Sequence, residues 1–217
     1  MSRKIDPDLI PDRPDLSFEN SLWEQRITLL AGIDEAGRGC LAGPVAAAAV
    51  ILPMDPGILD HLSGVRDSKQ LSPKQRELEA EAIKKIALAW QVGFCSAQEI
   101  DHLGILPATR TAVRRALSGL DPQPEHLLID YLTLPEISNP QTRLVKGDLR
   151  SLSIAAASIL AKTSRDQLMI EFHERFPLYD WESNKGYGTA AHRKALREHG
   201  PCSEHRKSFA PLRKKAP

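Results

Sequence analysis

Apolar residues along this chain recur with two periods, and their alternation sets out the elements before any chemistry is considered. Thr28 to Ile33 and Val45 to Leu52 are short apolar runs joined by a Gly-rich segment, and both read as strands. The longest apolar stretch, Leu41 to Leu52, is broken by Gly43 and Pro44 and reads as a buried strand. Ser72-Pro73 then opens a helix: Ser72 suits the N-cap, Pro73 the first helical position, and Gln75 completes a capping box. Leu78, Ala82 and Ile86, with Ile83 and Ala87 beside them, give that helix an apolar stripe. Trp90 to Cys95 fits a third strand, followed by helical segments over Gln98 to Leu103 and Pro107 to Leu117. Leu127 to Ile129 ends on Asp130, and Arg143 to Val145 ends near Asp148; both read as buried strands. A long helix runs from Ser153 to about Phe172, and another from Ala190 to His199, stopped by Gly200-Pro201. Early strands followed by alternating strands and helices predict an α/β domain with a mixed sheet.

Composition narrows the class. The 217 residues suffice for one sizeable core, and with 26% charged and 41% hydrophobic residues the chain is ordinary globular material. No apolar run approaches the roughly 18 residues needed to cross a bilayer, and the first residues show no secretory signal. The three cysteines, Cys40, Cys95 and Cys202, have neither disulfide nor zinc-ligand spacing, so a cytoplasmic setting is expected. Residues 1–20 hold Pro7, Pro11 and Pro14 among Asp and Arg, and read as a mobile arm ahead of one domain over 21–212, with 213–217 a short tail. Net charge is only +1, but Lys185 to Lys215 is basic. That stretch suits phosphate contact and equally suits a solvated face.

Candidate chemistry lies where apolar runs end. Asp34, Glu35, Asp130 and Asp148 all sit at strand ends or beside loops, where ligands of open α/β sheets bind. Oxygen ligands of this kind suit Mg²⁺ or Mn²⁺, and two such ions can drive phosphodiester hydrolysis. Neighbouring strand residues point to opposite faces, so Asp34 and Glu35 are expected to converge only if the chain leaves regular strand geometry there. Spacing alone leaves a metal-dependent phosphoryl-transfer enzyme as one option and structural acids as the other.

The residues also match a family. AGIDEAGRGCLAGPVAAAAVIL (31–52), DSKQLSPKQR (67–76), LLID (127–130), KGD (146–148), AAASILAKTSRD (155–166), KGYGTAAH (185–192) and HRKSFAP (205–211) stand in order, and together they resemble the type-II ribonucleases H. The resemblance spans nearly all of residues 30–212. It implies a ribonuclease H-like fold, a mixed β-sheet flanked by helices with a helical C-terminal extension. It further implies an endonuclease that uses Mg²⁺ or Mn²⁺, held by Asp34, Glu35, Asp130 and Asp148. Such an enzyme cuts the RNA strand of RNA/DNA hybrids and nicks 5′ of single ribonucleotides in duplex DNA, leaving 5′-phosphate and 3′-hydroxyl ends. Gly37, Arg38 and Gly39 match the turn that meets the 2′-hydroxyl at the junction, and Tyr187 matches the ring that packs on the adjoining sugar. Ser158, Lys162 and Arg165 share one stripe of a helix and are expected at phosphates, with Lys69 and Lys185 as further phosphate contacts. His192 receives no role.

Three departures stand out: Cys40 where proline is common, Tyr131 where glycine follows the third acid, and Leu149-Arg150 in place of a small-polar–lysine pair. About 30 residues precede the first strand, too few for the extra N-terminal domain of a type-III enzyme. A non-catalytic hybrid-binding module is the reading from another class, and retention of all four acids opposes it. A small-molecule phosphotransferase lacks its Gly-rich phosphate loop. The expected partner is nucleic acid, with no membrane and a monomeric state.

Overall fold

A computed structural model describes residues 6, 9–66 and 68–213. Its five strands are β1 (Leu30–Ala36), β2 (Val45–Ile51), β3 (Ala89–Cys95), β4 (His126–Asp130) and β5 (Gln141–Leu144). They form one sheet in the order β3-β2-β1-β4-β5. The first three strands pair antiparallel, whereas β4 joins β1 and β5 joins β4 in parallel. The sheet is therefore mixed, as the strand pattern predicts, with β1 at its centre.

Helices cover both faces, which is why β2 is buried at every position. The helices are α1 (Ser17–Trp23), α2 (Ile58–His61), α3 (Pro73–Ile86), α4 (Ala97–Leu103), α5 (Ile105–Ser118), α6 (Leu152–Arg175), α7 (Trp181–Asn184) and α8 (Ala190–His199). On one face Leu30, Ala36, Ala48 and Val50 pack with Ala155, Ala156, Ile159 and Leu160 of α6 and Ile83 of α3. On the other, Ala31, Ile33, Val45, Ala47 and Ile51 pack with Ala112, Val113 and Ala116 of α5 and Ile100 of α4. The period-two alternation assigns each residue to its face. Small residues bring α6 unusually close: a Cβ added at Gly32 would run into the Ser153 backbone. A smaller core of Ala42, Met169, Tyr179, Trp181 and Ala195 holds α7 and α8 against the end of α6, forming the C-terminal helical extension. Among the described residues no helix is long and apolar enough to cross a membrane.

The α3 capping box forms as expected, with Ser72 and Gln75 bonded reciprocally. Other boundaries move. β1 starts two residues later than predicted and runs on to Ala36, taking Asp34 and Glu35 into the strand. The expected arm does not hold for residues 15–20. There, Leu16 and Glu19 are buried, Leu152 N–H donates to the Asp15 carbonyl at 2.9 Å, and α1 begins at Ser17. The physical reason is Glu19, whose Oε1 accepts from Ser151 Oγ, Ser153 Oγ and Ser153 N at 2.7, 2.7 and 3.0 Å. In the rest of the arm Pro14 is buried, residues 1–5, 7 and 8 fall outside the described residues, and so does the expected tail beyond Arg213.

Candidate active site

The acids meet because the sheet is parallel at its centre. β1 and β4 run side by side with Ile33 opposite Ile129, so the next residues, Asp34 and Asp130, emerge as neighbours at the carboxyl ends of both strands. After Asp130 the chain turns through Tyr131 at φ 53°, and β5 runs parallel to β4. Lys146, also left-handed at φ 54°, starts a 3-10 turn over Gly147–Leu149 that carries Asp148, and Ser151 then caps α6. All four acids line one cavity of about 430 Å³, together with Gly37, Ser68, Lys69, Ser158, Lys162 and Tyr187. Convergence did not require β1 to break. Asp34 and Glu35 keep regular pairing opposite Ala48 and Ala47, and both reach the cavity just past Ile33, where the pairing of β1 with β4 stops.

Packing acids together has an electrostatic cost. Burial, reinforced by Glu35 and Asp130 nearby, pushes the Asp34 carboxyl well above its ordinary range, against a hydrogen bond from Ser158. Burial likewise pushes Asp130 up to about 6, despite a hydrogen bond from Gly147 N–H at 2.7 Å. Two cations offset part of the charge: Arg38 Nη1 lies 2.8 Å from Glu35 Oε1, and Lys69 Nζ lies 3.6 Å from Asp148 Oδ2. Among the described residues no three acid, histidine or cysteine side chains form a ready-made metal cage. The donor set nevertheless fits a hard divalent cation. It consists of carboxylate oxygens alone, and charge held in its less favoured form in a shared cavity is what such an ion would relieve.

Around the acids, the polar residues divide. Ser158 Oγ lies 3.1 Å from Ser68 Oγ and donates to Asp34, so its hydroxyl braces a carboxylate rather than facing solvent. Lys162 lies at the cavity wall, bonded to Asp166 at 2.7 Å with its ammonium 5.4 Å from the centre of the Tyr187 ring. Tyr187 is 41% exposed at the rim, and Arg38 and Gly39 are exposed on the turn after Gly37. Lys69 stands at the mouth.

Arg165 is a correction to the phosphate stripe. It is wholly buried, and its guanidinium donates to the carbonyls of Pro44, Lys185 and Ala42 at 2.8, 2.9 and 3.0 Å. A helical stripe of polar residues does not reveal which of them turns under the neighbouring loop. Gly37, at φ 88°, has no Cβ because Arg165 occupies that space. The Lys185 side chain bonds the Glu182 carbonyl and lines a neighbouring groove with Arg76 and Thr163 instead of the acid cavity.

The departures also find places. Tyr131 is exposed beside Asp130, with the Arg143 guanidinium 5.9 Å from its ring centre, and its left-handed backbone is one that glycine adopts without strain. Cys40 is buried with its thiol against the Tyr187 hydroxyl. Arg150 lies over the Phe18 ring of α1 at 4.9 Å.

Sequence reasoning missed Glu19, Ser68, the His192–His205 pair and Arg206. The last two stand in blocks that carried the family resemblance, yet a histidine on a polar helix and an arginine in a basic tail gave no sign of burial.

Comparison with known proteins agrees with this geometry. The family model described as Ribonuclease HII matches residues 31–212. A ribonuclease HII of Synechococcus sp. is 55% identical over 203 residues, covering 93% of this chain and 90% of that protein. A ribonuclease HII of Moorella thermoacetica is 53% identical, covering 89% and 92%. Among solved structures, the PCNA:RNase HII complex from Archaeoglobus fulgidus matches with a TM-score of 0.71 at 31% identity, over 87% of this chain and 98% of that one.

Proposed function

The chain belongs to the ribonuclease HII family and is a metal-dependent endoribonuclease; on that premise we propose that it hydrolyses the RNA strand of RNA/DNA hybrids and nicks duplex DNA 5′ of single embedded ribonucleotides. The observation that carries the reading is the meeting of four carboxylates in one cavity that Gly37 and Tyr187 also line. The catalytic unit takes in residues 15–212, with α1 included, and works as a cytoplasmic monomer.

Asp34, Glu35, Asp130 and Asp148 would hold Mg²⁺ or Mn²⁺. When bound, such ions lower the pKa of water and neutralise charge on the phosphate and leaving oxygens. The chain's own residues supply the rest. Ser158 keeps Asp34 oriented, and the Gly147 amide does the same for Asp130. Lys162 and Lys69, at the wall and mouth of the cavity, attract the substrate backbone. The Gly37–Gly39 turn meets the ribose 2′-hydroxyl, the group that distinguishes RNA from DNA at a single position. Tyr187 packs its ring on the deoxyribose next to it, where a second hydroxyl would crowd. Water adds to phosphorus and the P–O3′ bond breaks with its electron pair passing to O3′. That oxygen leaves protonated as a 3′-hydroxyl while the phosphate stays on the 5′ end.

The test is a labelled DNA duplex with one ribonucleotide, incubated with Mg²⁺, Mn²⁺ or EDTA beside an all-DNA duplex. The expected result is a metal-dependent nick on the 5′ side of the ribonucleotide with DNA intact. Cutting of long hybrids without that nick would keep the enzyme class and remove the junction roles of Arg38 and Tyr187.

A further inference from the structure

Arg206 is wholly buried, and among the described residues it has no carboxylate within ion-pair distance. A buried guanidinium is costly unless its donors are met. Here carbonyl oxygens meet them: Nη2 donates to Gly37 O at 2.7 Å and Pro44 O at 3.1 Å, Nη1 to Arg38 O at 2.9 Å, and Nε to Gly43 O at 3.0 Å. Two of these carbonyls belong to the turn assigned to the 2′-hydroxyl. A trans peptide points its C=O and its N–H in opposite directions. With the carbonyls of Gly37 and Arg38 drawn inward to Arg206, the N–H groups of Arg38 and Gly39 in the same two peptides face outward, on residues that are exposed.

The residue before it leads to the other side of the site. Cys202 N–H donates to His205 Nδ1 at 3.0 Å, which places the His205 proton on Nε2. That proton is directed at His192 Nε2, 3.0 Å away, which also accepts from Trp181 Nε1 at 3.3 Å. His192 therefore carries its own proton on Nδ1 and donates it to the Tyr187 carbonyl at 2.9 Å. One continuous set of bonds thus joins the turn, Arg206, His205, His192 and Tyr187.

We propose that Arg206 is a positioning residue for ribonucleotide recognition, orienting the peptides of the 37–39 turn so that two amides are presented to the 2′-hydroxyl while the His205–His192 pair fixes the turn's spacing from Tyr187. The inference rests on the reading of that turn given above. Arg206 touches no substrate and acts through backbone.

The experiment measures equilibrium binding, in EDTA, of a duplex with one ribonucleotide and of the same duplex in DNA throughout. Wild-type protein, Arg206→Ala and Arg206→Lys are compared, each checked for cooperative melting. Wild type is expected to prefer the ribonucleotide duplex. Arg206→Ala is expected to lose about tenfold of that preference, keeping its affinity for all-DNA duplex because phosphate contacts remain, and Arg206→Lys to recover part of it. A merely structural residue would lower both affinities together. Folded Arg206→Ala with an undiminished preference overturns the proposal. If Arg206→Ala does not melt cooperatively, Arg206→Lys decides on the same ratio, with about a threefold loss expected and no loss overturning it. A wild type with no preference for the ribonucleotide overturns the reading of the turn itself, and this proposal with it.

Discussion

A carboxylate held among other carboxylates is kept for its chemistry and against its stability. Asp130 binds its proton up to about pH 6 in the folded, metal-free protein, against an ordinary value of 3.8. Because the folded pKa is the higher one, its contribution to stability is complete below the unfolded value and is lost as pH rises through about 6. Asp130→Asn is therefore expected to raise the melting temperature of metal-free protein at pH 8, and to raise it little at pH 4. The same change, or Asp34→Asn, is expected to lower cleavage by roughly a hundredfold or more, about 2.7 kcal/mol in the barrier. Melting in EDTA beside a cleavage assay checks both; normal cleavage by either variant would remove these acids from the metal site. The place of these acids at the ends of apolar runs was legible in the sequence, but spacing alone left structural acids as the other option, and it was the family blocks that singled them out. Arg165 and Arg206 were not legible, since burial of an arginine is set by carbonyls more than a hundred positions away.

At the scale of elements, α1 is the piece that composition hid. Prolines and charges argued against order, but one buried glutamate ties α1 to the first turn of α6, directly after the turn that carries Asp148. A carboxylate there also complements the positive end of α6. Glu19→Ala leaves two hydroxyls and an amide without an acceptor, and is expected to destabilise by about 2–4 kcal/mol, read from urea denaturation. Weaker Mg²⁺ binding should accompany it, because the Asp148 turn loses its support. An unchanged denaturation midpoint would show that Glu19 is incidental. The strands and the longer helices were readable from periodicity and caps, but their order in the sheet was not. Nor was the end of β1, because strand pairing continues under acids as readily as under apolar residues.

For the whole molecule, the C-terminal extension stands on two neutral histidines. Burial lowers His192, and burial with His192 beside it lowers His205 to about 4 from 6.5. A histidine whose folded pKa is depressed contributes full stability above its unfolded value and loses it as pH falls from about 6.5 towards 4. Between pH 7.5 and 5 the loss is expected to be about 2 kcal/mol, and His205→Gln should flatten it. Urea midpoints across that range decide the matter; parallel pH profiles for wild type and variant would contradict it. Substrate binding should also weaken as salt rises, since phosphate contacts release counterions; a salt-independent affinity would contradict the assignment of Lys69 and Lys162. The mixed α/β architecture was legible from the alternation of elements, whereas the joining of the extension to the β1 turn depends on side chains that no periodicity marks.

The bond from Arg206 to Gly37 spans 169 positions. During synthesis the turn is made long before its brace, and all five strands precede Arg206, so a ribosome-bound nascent chain can complete its sheet before the proposed ribose contact is braced. Selectivity would then be acquired after the sheet, and contacts of such long range also favour slow folding.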